Sequence, residues 1–197
     1  MSCALPDDFY EKLKPRLHRR IAQAVGRGQR VVDLGCGDCK LAVLLSRRYG
    51  FEVTGIDLSD ASFPDTDSPV GRGRHRVHCI KTDAKRLRFV ESRSVDAVVS
   101  VWALHEMESP SAVLREALRI LRPGGRMLIV DFPKGSLAQR LWNENYYTPN
   151  QIRRKLVDAG FVDLQCDLIE RDQLVWACGR KRRSRDRHAL ETVESKK

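Results

Sequence analysis

Asp33, Gly35 and Gly37 stand in the run VVDLGCGDCK, where two apolar residues lead into a turn built on two glycines. Glycine there lets the chain turn sharply and lets its backbone approach a ligand closely. A dinucleotide fold asks for G-x-G-x-x-G, but Lys40 occupies the third glycine position, which weakens that reading without excluding it. Asp33, two residues before Gly35, would face the phosphates of a dinucleotide, whereas it suits a ligand carrying an ammonium group. Asp57 ends the next apolar run, and a carboxylate at such a strand end accepts hydrogen bonds from both hydroxyls of a ribose. These positions ask for a ribose, a cationic group and no pyrophosphate, and S-adenosylmethionine has all three. Further along, His105 and Glu106 follow another apolar run, and an imidazole titrates in the range a general base needs. His105 reads equally well as a loop histidine that shapes a pocket, and Glu106 as a local cap or ion-pair partner. Cys36 and Cys39 have metal-ligand spacing, but with no second pair or histidines nearby they give no metal site.

These residues need strands to hold them. The runs RVVDLG, FEVTGIDLS, VHCIKTDA, SVDAVVSVWALHEM and RMLIVDF read as five strands, and VDLQCDLIERDQLVWACGRK as two more around a turn at Glu170–Asp172. Between them, KLAVLLSRRYG predicts a helix ended by Gly50. SPSAVLREALRILRPGG predicts one with Ser109 as N-cap, Pro110 at its first position and a stop at Gly124–Gly125. TPNQIRRKLVDAGF is a third capped amphipathic helix. Ahead of them all, Phe9, Leu13, Leu17, Ile21 and Val25 recur every four residues, one face of a helix that Pro15 should bend or split in two. DASFPDTDSPVGRGRHR reads mostly as loop. Strands alternating with helices predict an α/β fold, a single doubly wound, mostly parallel seven-stranded sheet with helices on both faces. Ligands of such sheets bind beyond the carboxyl ends of the strands, where the turn after Leu34 lies.

Composition fits an ordinary globular chain of 197 residues, with 42% apolar and 31% charged residues. The net charge of +10 suggests nucleic acid until it is located. Residues 1–30 hold seven basic against three acidic residues, residues 180–197 eight against three, and the remaining body is nearly balanced at 21 against 20. We therefore expect an N-terminal helical cap over 1–30, a ligand-binding domain over 31–179, and a basic, solvated tail over 180–197 that leaves a nucleic-acid contact open. No run is apolar enough for a membrane span or a signal peptide, so a cytoplasmic protein with six reduced cysteines is expected. Oligomeric state cannot be read from the sequence.

The stretches VVDLGCGDC, GIDLS, IKTDA, SVDAVVSVWALHEM and ILRPGGRMLIVDF, in this order, resemble the class I S-adenosylmethionine-dependent methyltransferases over about Val31 to Phe132. LHEM and DFPKGSLAQRLW resemble the branch that acts on quinones and other small molecules, the type-11-like branch. The resemblance implies an antiparallel last strand. It also implies a cofactor site in which Asp33, Gly35 and Gly37 line the methionine end and Asp57 binds the ribose. Leu58 would lie against the adenine, Asp83 and the N–H of Ala84 would meet its polar edge, and Val101 would lie near the sulfonium. Methyl transfer is an in-line displacement, so the enzyme mainly aligns its reactants and excludes water. His105 and Glu106 are the candidates should the acceptor have a proton to lose. No D/N-P-P-Y/F run follows the fourth strand, which lowers base amines and glutamine amides as acceptors. Tyr10, Trp142, Tyr146 and Tyr147 could wall a small-molecule acceptor, or simply pack. An RNA methyltransferase using the basic ends and a non-catalytic module of the same fold are the alternatives.

Overall fold

Seven strands form one sheet in the computed structural model, which describes residues 5–6, 8–26, 29–64 and 77–183. They are β1 (Arg30–Leu34), β2 (Glu52–Asp57), β3 (Val77–Lys81), β4 (Val95–Val101), β5 (Leu121–Asp131), β6 (Val162–Ile169) and β7 (Leu174–Arg180). Their order is β3-β2-β1-β4-β5-β7-β6. Neighbours from β3 to β5 pair in parallel, and β7 runs antiparallel to both β5 and β6. The helices are α1 (Phe9–Val25), α2 (Lys40–Tyr49), α3 (Pro110–Ile120), α4 (Leu137–Trp142) and α5 (Pro149–Ala159). The expected fold class and the antiparallel last strand are what is found.

Period-two alternation sends the central strands into two cores. Val31, Ala97, Val99, Leu128 and Val130 face α1, α2 and α4, while Val32, Val98, Met127 and Ile129 face α3 and α5. A sheet covered on both faces must be apolar almost throughout, which is why these strands read as continuous runs.

Three local expectations are corrected. Of the two outcomes expected at Pro15, the split does not occur, and α1 is one helix through it. A proline inside a helix costs about 3 kcal/mol. Burying Leu13, Leu17 and Ile21 offsets this, since each fully buried side chain is worth about 1.5–3 kcal/mol. Helix α3 stops at Ile120, before the glycine pair, because the chain passes directly into β5. Cys39 and Cys79 are joined as a disulfide, where free thiols were expected. Gly55 of β2, paired with Cys79, makes room: a Cβ there would lie 2.9 Å from the Cys36 sulfur and 3.0 Å from that of Cys39. Cys36, Cys166 and Cys178 are free, and Cys3 lies outside the described residues.

Residues expected to open a solvated tail instead finish the fold. Arg180 is paired in β7, and Lys181 Nζ donates to the carbonyls of Arg119 at 3.2 Å and Leu121 at 2.7 Å, where α3 turns into β5. Burial pushes the Lys181 pKa down. Residues 184–197, the rest of the basic tail, and residues 65–76, most of the Asp-Ser-Pro-Gly loop, lie outside the described residues. Replacing Lys181 by Met takes a donor from both carbonyls, leaving Arg119 O with the Arg93 N–H at 3.1 Å, and should cost about 1–3 kcal/mol of stability. Urea denaturation with an unchanged midpoint would show that the ammonium is dispensable.

Candidate functional site

The carboxyl ends of β1, β2 and β4 converge on the turn after Leu34. Its backbone is fixed by Gly35 N and Cys36 N, which both donate to Ile56 O, at 2.8 and 3.0 Å. Gly35 has φ +74°, and a Cβ on it would lie 2.3 Å from the Ala103 Cβ. Gly37 has φ +51° with open space around it. Its N–H donates to Asp57 Oδ2 at 2.8 Å, while Asp57 Oδ1 accepts from Ser59 N at 3.1 Å. Asp57 thus ties the glycine turn to the end of β2.

Two adjoining cavities, of about 410 and 370 Å³, share Gly35, Asp57, Ala103 and Glu106. The larger is bounded by Leu58, Thr82, Asp83 and Ala84. Leu58 is 70% exposed, which packing does not explain, so its apolar surface is open to a ligand. Asp83 Oδ1 accepts from Lys85 N at 2.9 Å, and its other oxygen pairs with Lys85 Nζ at 3.2 Å. The smaller cavity is bounded by Asp33, Gly37, Val101 and Trp102, with Lys14 and His18 of α1 as its outer wall. Asp33 is buried, and burial together with the charge of Asp57 pushes its pKa up to about 7. A buried carboxylate in that state favours a cation beside it.

His105 lies on a 3-10 turn (Leu104–Glu106) just past β4, with its side chain only 4% exposed. Asp131, the last residue of β5, accepts from three donors. They are His105 N at 3.1 Å, His105 Nδ1 at 2.7 Å and Phe132 N at 2.8 Å. On its other side His105 Nε2 is 3.0 Å from Glu144 Oε2, which also accepts from the Tyr146 hydroxyl at 3.0 Å. Each ring nitrogen thus faces a carboxylate oxygen, an arrangement that favours the protonated imidazole. Burial pulls its pKa down, but the bonds to Asp131 and Glu144 and the charge of Glu106 outweigh this and the net shift is upward. The Glu106 pKa is also raised, chiefly by burial. The Tyr146 pKa rises through burial and the carboxylate it touches.

Aromatic rings surround this group. Phe132 contacts Trp102, Tyr10, Trp142 and Tyr146 at centroid separations of 4.9–5.5 Å, and Tyr146 lies 4.5 Å from the His105 ring. Tyr10 is less free than expected. Its hydroxyl accepts from Ala138 N at 3.0 Å, and the ring is buried. Tyr147 stands apart, in the opposite core with Lys155 Nζ 4.7 Å from its ring centre.

The structure therefore brings together Asp33, Gly35, Gly37, Asp57, Leu58, Asp83, Ala84, Val101 and Glu106 around the cavities. His105 adjoins Glu106, with Trp142 and Tyr146 in its aromatic surround. The sequence reading missed Asp131, Glu144 and Trp102. An acid closing the apolar run RMLIVD carries the same signal as Asp57, but only the β4–β5 pairing connects it to His105. Trp102 has φ +56°, a conformation that costs a bulky residue about 1–3 kcal/mol, and sequence gives no sign of it.

Residues 32–129 match the family model described as "Methyltransferase domain". Among curated proteins the chain is similar to the O-methyltransferase rstn1 of Aspergillus nomiae, at 30% identity over 64% of this chain and 57% of that protein. It is also similar to the 27-O-demethylrifamycin SV methyltransferase of Amycolatopsis mediterranei, at 32% identity over 62% and 46%. The chain spans about half the length of these relatives. Among solved structures it shares its fold with the cyclase SpnF, with a TM-score of 0.71 and 23% identity over 86% of this chain and 81% of that one.

The two glycines make a testable contrast. Gly35→Ala adds both strain and the clash with Ala103, and should cost about 2–4 kcal/mol. Gly37→Ala adds strain alone and should cost about 1–2 kcal/mol. Equal losses in denaturant titrations would mean that Ala103 moves aside.

Proposed function

The chain belongs to the class I S-adenosylmethionine-dependent methyltransferases, and on that premise we propose that it transfers a methyl group to an O, N, C or S atom of a small-molecule acceptor. One observation carries the reading: the Asp57 carboxylate stands between two cavities, one closed by Asp33 and the other by exposed Leu58 and Asp83. That order of groups fits the ammonium, ribose and adenine of S-adenosylmethionine. Bound there, the cofactor supplies an electrophilic methyl group on a sulfonium.

The chain's own residues do the rest. Asp33 holds the ammonium, and Asp57 accepts the ribose hydroxyls while keeping Gly37 in place. Leu58 covers the adenine, Asp83 and the Ala84 N–H read its edge, and Val101 lies near the sulfonium. Trp142 and Tyr146, with Tyr10 behind them, exclude water from the acceptor side. His105 takes the acceptor's proton where there is one, with its tautomer and ring angle set by Asp131. Glu106 stands between ring and cavities. We keep an N-terminal cap as part of this proposal, with Lys14 and His18 as the segment that walls the cleft. No described helix is long and apolar enough to cross a membrane. A cytoplasmic location goes with the proposal, and the Cys39–Cys79 bond is the observation against it. An RNA acceptor has less support, since the relatives named above include a rifamycin methyltransferase.

Calorimetry with S-adenosylhomocysteine tests cofactor binding, and labelled methyl transfer into metabolite extract against total RNA tests the acceptor class. Asp57→Ala should weaken S-adenosylhomocysteine by about 1.5–3 kcal/mol with the fold retained. An unchanged Kd would remove Asp57 from the ribose site. The raised pKa of Asp33 gives a pH dependence. In the free protein the carboxyl is protonated below about 7 and ionised above it. The ammonium binds the ionised form, so affinity should rise as pH increases through about 7, with proton release at pH 6–7. Calorimetry in two buffers of different ionisation enthalpy reads this, and an affinity flat from about pH 6 to 8 would place the ammonium elsewhere.

A further inference from the structure

His105 Nδ1 and Nε2 lie 2.7 and 3.0 Å from carboxylate oxygens of Asp131 and Glu144. The cationic ring that this arrangement favours donates from both nitrogens and has no lone pair with which to take a proton. One of its two partners must leave before it can act. Asp131 is the wrong one: it is 1% exposed and also holds two backbone N–H groups. Glu144 is different. It lies just past α4, in a run from the end of that helix where all of 141–145 is exposed and Asn143 has φ +56°. Its carboxylate reaches in to His105 Nε2 and the Tyr146 hydroxyl. The Nε2 edge that it covers is the one next to the cleft, since Glu106, a wall of both cavities, has an oxygen 3.8 Å from Nε2.

We propose that Glu144 controls the proton of His105, as a carboxylate that holds the ring protonated while the 141–145 segment is closed and, by withdrawing as the segment opens for the acceptor, lets that proton leave. This rests on the methyltransferase reading above. The step balances. As the carboxylate withdraws, the Nε2–H bond breaks and an O–H bond forms on a water molecule that enters, leaving a neutral imidazole and a hydronium ion that solvent carries off. Asp131 stays on Nδ1–H, so the lone pair appears on Nε2, beside the cleft. When the methyl group moves, the acceptor's proton passes to Nε2, and the cationic ring again attracts Glu144. The groups facing the imidazole are Asp131 and Phe132 at the end of β5, Glu106 on its own turn, and Glu144 and Tyr146 from the α4–α5 segment. Of these, Glu144 is the carboxylate on a wholly exposed stretch of chain.

The test reads the His105 ring directly, without turnover. The full chain labelled with 13C,15N-histidine is titrated by NMR, with the His105 signal assigned through His105→Gln. Glu144→Gln keeps the side-chain length and loses the charge, so the His105 midpoint should fall by about one pH unit or more. Glu144→Ala must move it in the same direction. The acid limb of kcat/KM, measured once an acceptor is found, should move to lower pH in Glu144→Gln. A His105 midpoint that is unchanged or higher in both variants overturns the assignment. Calorimetry with S-adenosylhomocysteine on the wild-type chain separates the two claims. Binding with an unmoved midpoint sinks the role of Glu144 alone, whereas absence of binding sinks the reading beneath it.

Discussion

Helices cover both faces of this sheet, and that constraint places everything else. An unpaired polar group inside such a layer costs several kcal/mol, so the strands are apolar and their chemistry is confined to their ends. Asp57 and Asp131 are the last residues of β2 and β5, and His105 follows β4 by a single turn. The two buried carboxylates meet the constraint differently. Asp131 is surrounded by three N–H donors, two of them from the backbone. Asp33 lies within β1, faces the charge of Asp57, and is left with a pKa raised to about 7. The first is a fixed anchor, and the second is poised to respond to a cation.

The glycine turn is held from beneath as well as from the side. Asp57 grips Gly37, while Cys36 and Cys39 pack into the space that Gly55 leaves on β2. The bond from Cys39 to Cys79 carries this contact across to the edge strand β3. Turn, second strand and edge strand are therefore one mechanical unit, and a change in any of them reaches Asp57.

Much of this was legible in the residues. The order of the strands and of every helix but α4, the two-glycine turn and the acids at 33 and 57 follow from periodicity and residue type, and Asp83 comes with the family resemblance. What could not be read was pairing across the chain. Asp131 and His105 are 26 residues apart and meet only because β4 and β5 lie parallel. Glu144 stood unnoticed between Trp142 and Tyr146, since nothing local distinguishes it from a solvated glutamate. Pro15 misled because a local rule met a buried apolar stripe that outweighed it. The thiol expectation came from the absence of a signal segment, which says nothing about which sulfurs are neighbours. Tyr146 and Tyr147 are adjacent in sequence and pack into opposite cores.

The three tryptophans are distributed so that the molecule carries its own optical gauge. Trp142 is 47% exposed above Phe132, on the segment that bears Glu144. Trp102 stacks on Phe132 at a wall of the smaller cavity, with the Lys14 ammonium 5.5 Å from its ring centre. Trp176 is buried in β7 beneath the Arg20 guanidinium. Light emitted by the first shifts toward the blue when water leaves it, and light from the second changes when a cation replaces or displaces Lys14. Opening of the segment and filling of the cleft can thus be followed as separate colour changes in the unlabelled wild-type chain.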